Sequence, residues 1–127
     1  MDANALFLPF TASVALVPEI ERLVPNARVV VPSSVIEELQ LLRERDTPNA
    51  KAAIELSRAF DTVANDGRGD VAILRLAQSA GAAVVTADAE LGRTLREAGI
   101  DTIVPRDRAR LELRRGSRRR SNRPVNR

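Results

Sequence analysis

Residues 82–91 read AAVVTADAEL. The first half is a short apolar run without alternation, the pattern of a strand buried on both faces. The second half turns at once to helix. Asp88 stands where an N-cap belongs, AELGRTLREA follows, and Gly99 closes the segment. A strand buried on both faces needs helices on either side, so this stretch points to a parallel sheet between helical layers.

The alternation recurs outward from there. Residues 101–104, DTIV, make a last strand. On the other side, Asp70 opens a helix that turns Ile73, Leu74 and Ala77 inward and ends at Gly81. It follows the loop NDGRG (65–69) and a short strand over 61–64. Thr47 and Pro48, as N-cap and first helical residue, open a helix carrying Ala52, Ala53, Leu56 and Phe60 inward. RVVV (28–31) is a strand stopped by Pro32. SSVIEELQLLRER (33–45) is a helix with Val35, Ile36, Leu39 and Leu42 buried and a Ser34–Glu37 capping box. Residues 16–24 have helical spacing, and 3–8 read as extended and buried. The expectation is one α/β domain over 1–105, a central parallel sheet flanked by helices. A tail over 106–127, without apolar period, should be disordered when free.

Composition narrows the chemistry. The chain has 127 residues, no Cys and no His. Disulfides, thiolate nucleophiles, Ser-His-Asp triads and imidazole or thiolate metal sites are therefore excluded. Carboxylates, hydroxyls, amides, Arg and the single Lys51 remain. No apolar run approaches the roughly 20 residues of a membrane span. Met1 is followed by Asp2 rather than by a basic leader, so a cytoplasmic location is expected. The net charge of +3 is split: residues 1–105 carry 15 acidic and 10 basic side chains, and residues 106–127 carry 10 Arg against Asp107 and Glu112. Such asymmetry suggests a polyanionic partner.

Four acidic positions sit where a parallel sheet would gather them: Asp2, the Glu37/Glu38 pair, Asp70 and Asp88. Strand C-termini and helix N-termini share one sheet edge, and ligands bind there. Each acid also has a plain structural role open to it. Asp70 and Asp88 suit helix N-caps, Glu37 a capping box, Glu38 a solvated flank and Asp2 a polar terminus. Read together, they form a carboxylate cluster that divalent cations would neutralise, and hard oxygen donors suit magnesium or manganese. Such ions can activate water for phosphodiester hydrolysis.

MDANALFL, VPSSVIEEL, GDVAILRLA and VVTADAEL, in that order, resemble the motifs of a PIN domain, and the resemblance spans residues 1 to about 105. It is closest to small archaeal PIN proteins similar to VapC-type toxin nucleases and ribosomal RNA processing nucleases. The resemblance implies a three-layer α/β fold and a magnesium- or manganese-dependent endoribonuclease. It places the acidic metal-binding residues at Asp2, Glu38, Asp70 and Asp88, with Asn4 and Thr86 as supporting polar positions. It implies RNA as substrate, an antitoxin or ribosome-assembly partner, and a homodimer. One departure stands out: a PIN domain's first Asp ends a central strand, whereas here only Met1 precedes Asp2. The first strand reads as truncated. The sequence as given then starts inside a longer natural chain, NALFL shifts to pair instead, or the copy is crippled. The first is expected, and an apolar N-terminal extension should then raise the melting temperature. A catalytically inactive scaffold that binds RNA or ribonucleoprotein is the alternative function. In the tail, Arg114, Arg115, Arg118, Arg119 and Arg120 form a candidate RNA-binding arm, or else an overhang with no role.

Overall fold

The computed structural model describes residues 1–117. Its elements run α1 (Ala3–Thr11), α2 (Leu16–Leu23), β1 (Val30–Pro32), α3 (Ser33–Glu44), α4 (Ala50–Ser57), β2 (Asp61–Val63), α5 (Gly69–Ala80), β3 (Val84–Val85), α6 (Ala89–Glu97), β4 (Thr102–Pro105) and β5 (Leu111–Arg114). β1 and β2 pair in parallel, with Val30 opposite Asp61. β3 and β4 also pair in parallel, with Val84 opposite Thr102. β5 returns antiparallel along β4, placing Arg114 opposite Thr102.

The first two residues join these sheets. The Met1 nitrogen donates to the Val30 carbonyl at 3.2 Å, and the Asp2 N–H donates to the Val85 carbonyl at 3.0 Å. The order across the molecule is therefore β2, β1, residues 1–2, β3, β4, β5. A two-residue stub takes the middle position of a first strand and pairs to both sides. NALFL does not pair as a strand. Asp2 caps α1 through Oδ1, which accepts from the Ala5 N–H at 2.9 Å. The helix then buries Ala3, Ala5, Leu6 and Leu8. An apolar run that looks extended becomes helical because a cap starts it.

The remaining core is aliphatic. Leu6, Leu39, Leu95, Leu111 and Val31 are fully buried. α3 packs on α4 and β1, α1 packs on α3 and α4, and α6 packs on β4. The parallel pairs bring the ends of β1, β2 and β3 to a single edge, where α3, α5 and α6 begin.

Three expected helix starts differ. Ser34 lies inside the first turn of α3 rather than capping it, so there is no Ser34–Glu37 capping box. The free N-terminal groups of α3 are met from across the chain instead. Asn65 Oδ1 accepts from the Ser34 N–H at 3.0 Å and the Ser33 hydroxyl at 3.1 Å, while Asn65 Nδ2 donates to Ser34 Oγ at 2.9 Å. α4 starts at Ala50, not at Pro48. Asn49 takes a left-handed conformation with φ 68°, and the Thr47 carbonyl, not its hydroxyl, accepts from the Ala50 N–H. α5 starts at Gly69, so Asp70 sits in its first turn without acting as its cap.

The tail expected to be disordered from residue 106 is ordered at its start. Leu111–Arg114 forms β5. Glu19 on α2 receives the Leu111 N–H at 2.9 Å, and Arg22 donates to the Leu111 carbonyl at 2.8 Å. Arg118, Arg119 and Arg120 lie outside the described residues. Among the described residues, no single helix is long and apolar enough to cross a membrane.

Candidate active site

Asp2, Glu38 and Asp70 line one small cavity of about 50 Å³, together with Asn4, Ser34 and the apolar Leu91. Each acid arrives by a different element. Asp2 comes from the stub between β1 and β3. Glu38 comes from the second turn of α3, just before the buried Leu39, and Asp70 from the first turn of α5. Asn65 ties the loop before α5 to the start of α3, so a single side chain sets the approach of the segments carrying Glu38 and Asp70.

Asp2 is the most constrained of the three. It is 5% exposed, and both of its oxygens are engaged. Oδ1 receives the Ala5 N–H, and Oδ2 accepts a short hydrogen bond from the Thr86 hydroxyl. The fully buried Thr86 oxygen in turn accepts from the Asp88 N–H at 3.0 Å. Asp88 Oδ1 caps α6, receiving the Glu90 and Leu91 N–H groups, each at 3.0 Å. Asp88 therefore fills the structural role open to it and is also linked to Asp2 through Thr86. Its side chain does not line the cavity of the other three; it lines an adjoining cleft of about 210 Å³ that also includes Thr86.

The electrostatics follow from this crowding. Burial pushes the Asp2 carboxyl above its ordinary range; its hydrogen bonds to Thr86 and Ala5 oppose the shift, and Asp88 adds to it. Glu38 is raised first by burial and then by the charges of Asp2 and Asp70. Asp2 and Asp70 make Glu38 harder to ionise, and Asp88 does the same to Asp2, which is the condition a divalent cation relieves. Among the described residues, no group of three or more acidic side chains is placed so that it could hold a metal ion together. The residue types nonetheless fit a hard cation in kind, since Asp2, Glu38, Asp70 and Asn4 all line one cavity.

Two contributors were not evident from sequence. Ser34 lines the cavity, and Asn65 is the joint beneath it. Asn65 meets its partners 31 and 32 positions away, so no local pattern reveals it. Of the tail candidates, Arg114 lies on β5 and Arg115 pairs with Asp101 at 3.2 Å.

Fold and site together define an α/β protein with an acid-lined mouth at the C-terminal edge of parallel strands. A family model described as a PIN like domain matches residues 1–108, and the chain belongs to that family. PIN domains are generally nucleases, and they generally use divalent metal ions. No curated protein matches the chain.

Proposed function

We propose that this chain is a metal-dependent endoribonuclease that hydrolyses RNA phosphodiester bonds at the cavity lined by Asp2, Glu38 and Asp70. The observation that carries the reading is the meeting of these three carboxylates, from three separate elements, in one cavity. Asp2, Glu38 and Asp70 would hold magnesium or manganese, with Asp88 next to them through Thr86. Bound there, a divalent ion would supply an activated water and stabilise charge on the leaving oxygen. Asp2 is pre-oriented by Ala5 and Thr86, so little reorganisation is needed at the first ligand. Asn4, exposed at the cavity rim, can donate to a phosphate oxygen. Lys51 lies on α4 and does not line the cavity.

A second reading is an RNA-binding scaffold that does not cut. The small cavity and the absence, among the described residues, of three acidic side chains placed to hold a metal ion together favour it. Single-turnover incubation of structured RNA with manganese separates the two. Cleavage by the wild type, lost in Asp70→Asn, supports the nuclease; equal background in both supports the scaffold. Whether a nuclease of this kind serves RNA processing or works as a toxin held by an antitoxin is decided by whether an antitoxin is encoded alongside it.

A further inference from the structure

Around Asp88 the surface carries a different chemistry. The adjoining cleft is also lined by Arg96, Glu112 and Arg114. A second groove, of about 500 Å³, shares Arg96 and Arg114 with it and adds Arg93, Glu97, Arg115 and Ser117. The shared residues set the two grooves side by side across Arg96 and Arg114, with Asp88 in the first and Arg93 and Arg115 in the second.

The fold fixes this arrangement. Arg93 and Arg96 are one turn apart on α6. Arg96 Nη1 donates to the buried Thr102 hydroxyl at 2.7 Å, and Arg114 faces Thr102 across the β4–β5 ladder. The end of β5 is pinned to the end of α6: the Ser117 N–H donates to the Arg96 carbonyl at 2.7 Å, and the Gly116 N–H donates to Asp101 at 2.8 Å. Carboxylates are present, and Glu112 partly offsets the charge on Arg96, but neither Glu97 nor Glu112 comes within ion-pair distance of these cations. Arg115 is the one engaged with Asp101. Among the described residues, Arg93, Arg96 and Arg114 form no ion pair with Glu97 or Glu112. Arg96 is held below its ordinary range by burial first, then by Arg114 and Arg93, so these guanidinium groups repel one another. Guanidinium forks held close together with no carboxylate at ion-pair distance match the oxygens of successive phosphates.

We infer that these two grooves form one channel, the track for the RNA strand leading away from the acid site, with Arg93, Arg96 and Arg114 contacting its phosphates. The identity of the polymer rests on the nuclease reading; the anion track rests on the arginines alone. It differs from an RNA-binding tail, because two of its three contacts come from α6.

The test uses the full chain and a fluorescein-labelled single-stranded RNA oligonucleotide. Binding is followed by anisotropy in EDTA, which prevents cutting, across roughly 50–200 mM salt. Arg93→Gln/Arg114→Gln removes two exposed side chains that make no ion pair, so folding is preserved. Arg43→Gln/Arg45→Gln at the end of α3 makes the same charge change elsewhere. The inference expects roughly tenfold or greater weakening for the channel variant and a salt slope shallower by about 1.4, for two single-strand phosphate contacts. It expects the control to stay near wild type. Equal weakening of both variants, no weakening of either, or no RNA binding by the wild type overturns it. Channel-dependent binding without manganese-dependent cutting by the wild type would sink the nuclease reading and leave the anion track standing.

Discussion

Glu38 shows how one residue can be costly and useful at once. Its carboxyl is raised by burial and by Asp2 and Asp70, so the folded site binds protons more readily than the unfolded chain. The contribution of Asp2 and Glu38 to stability is therefore fully present below their ordinary values of 3.8 and 4.5, and it is lost as pH climbs through the raised values. Glu38→Gln removes one of the repelling charges. In metal-free buffer at neutral pH its melting temperature should rise by a few degrees, about 1 kcal/mol or less of added stability, while RNA cleavage falls at least a hundredfold. A scanning melt beside a cleavage assay checks both, and a fall in melting temperature would contradict the repulsion. Asp70 and Asp88 were legible in the sequence as acids at the start of a helix, whereas Glu38 lies in the second turn of α3 and Asp2 precedes a run that reads as extended. The division of labour between Asp70 and Asp88 was not legible. Asp88 caps its helix while Asp70 does not, and that depends on where each helix takes its first turn.

At the level of elements, two joints decide whether the site is assembled. Asn65 satisfies the start of α3 in place of a local cap. Asn65→Ala should cost about 1–2 kcal/mol, and it should slow cleavage at temperatures where the protein remains folded, because Glu38 and Asp70 lose their common brace. Unfolding in urea and single-turnover rates measure the two effects, and an unchanged rate would limit Asn65 to stability. The other joint is Gly116. A Cβ there would lie 2.5 Å from the Gly99 carbonyl carbon and 2.6 Å from the Ile100 nitrogen, both backbone atoms that cannot swing away. Gly116→Ala should destabilise by about 1–3 kcal/mol and loosen β5 from α6, seen as faster amide exchange over residues 111–117. Unchanged exchange there would deny the clamp. β5 was missed in the sequence because its alternating LELR sits within an Arg-rich stretch, and its pairing is supplied by β4 and Glu19. α1 was missed because a mostly apolar run of six residues, 3–8, carries no period that separates helix from buried strand, and the deciding signal is one hydrogen bond from Ala5 to Asp2.

For the molecule as a whole, the alternation around AAVVTADAEL carried the fold. Strands buried on both faces leave few alternatives to a parallel sheet covered by helices, so the gathering of acids at one edge followed from topology. The arginine channel did not, since it joins α6 to a strand near the end of the described chain. The molecule thus carries an acid-lined cavity and, on the far side of Asp88, grooves lined by arginines. If the pocket is a cation site, manganese should stabilise the protein more at pH 8 than at pH 5, because the raised Asp2 and Glu38 carboxyls lose protons as pH climbs. The melting temperature measured with and without the ion at both values should show the larger gain at pH 8, and equal gains would point to binding elsewhere. The most direct measurement is a calorimetric titration of manganese into the wild type and into Glu38→Gln/Asp70→Asn. A saturable site in the wild type that disappears in the variant is the expected result. The same affinity and stoichiometry in both proteins would contradict the claim that these carboxylates act together on a divalent ion.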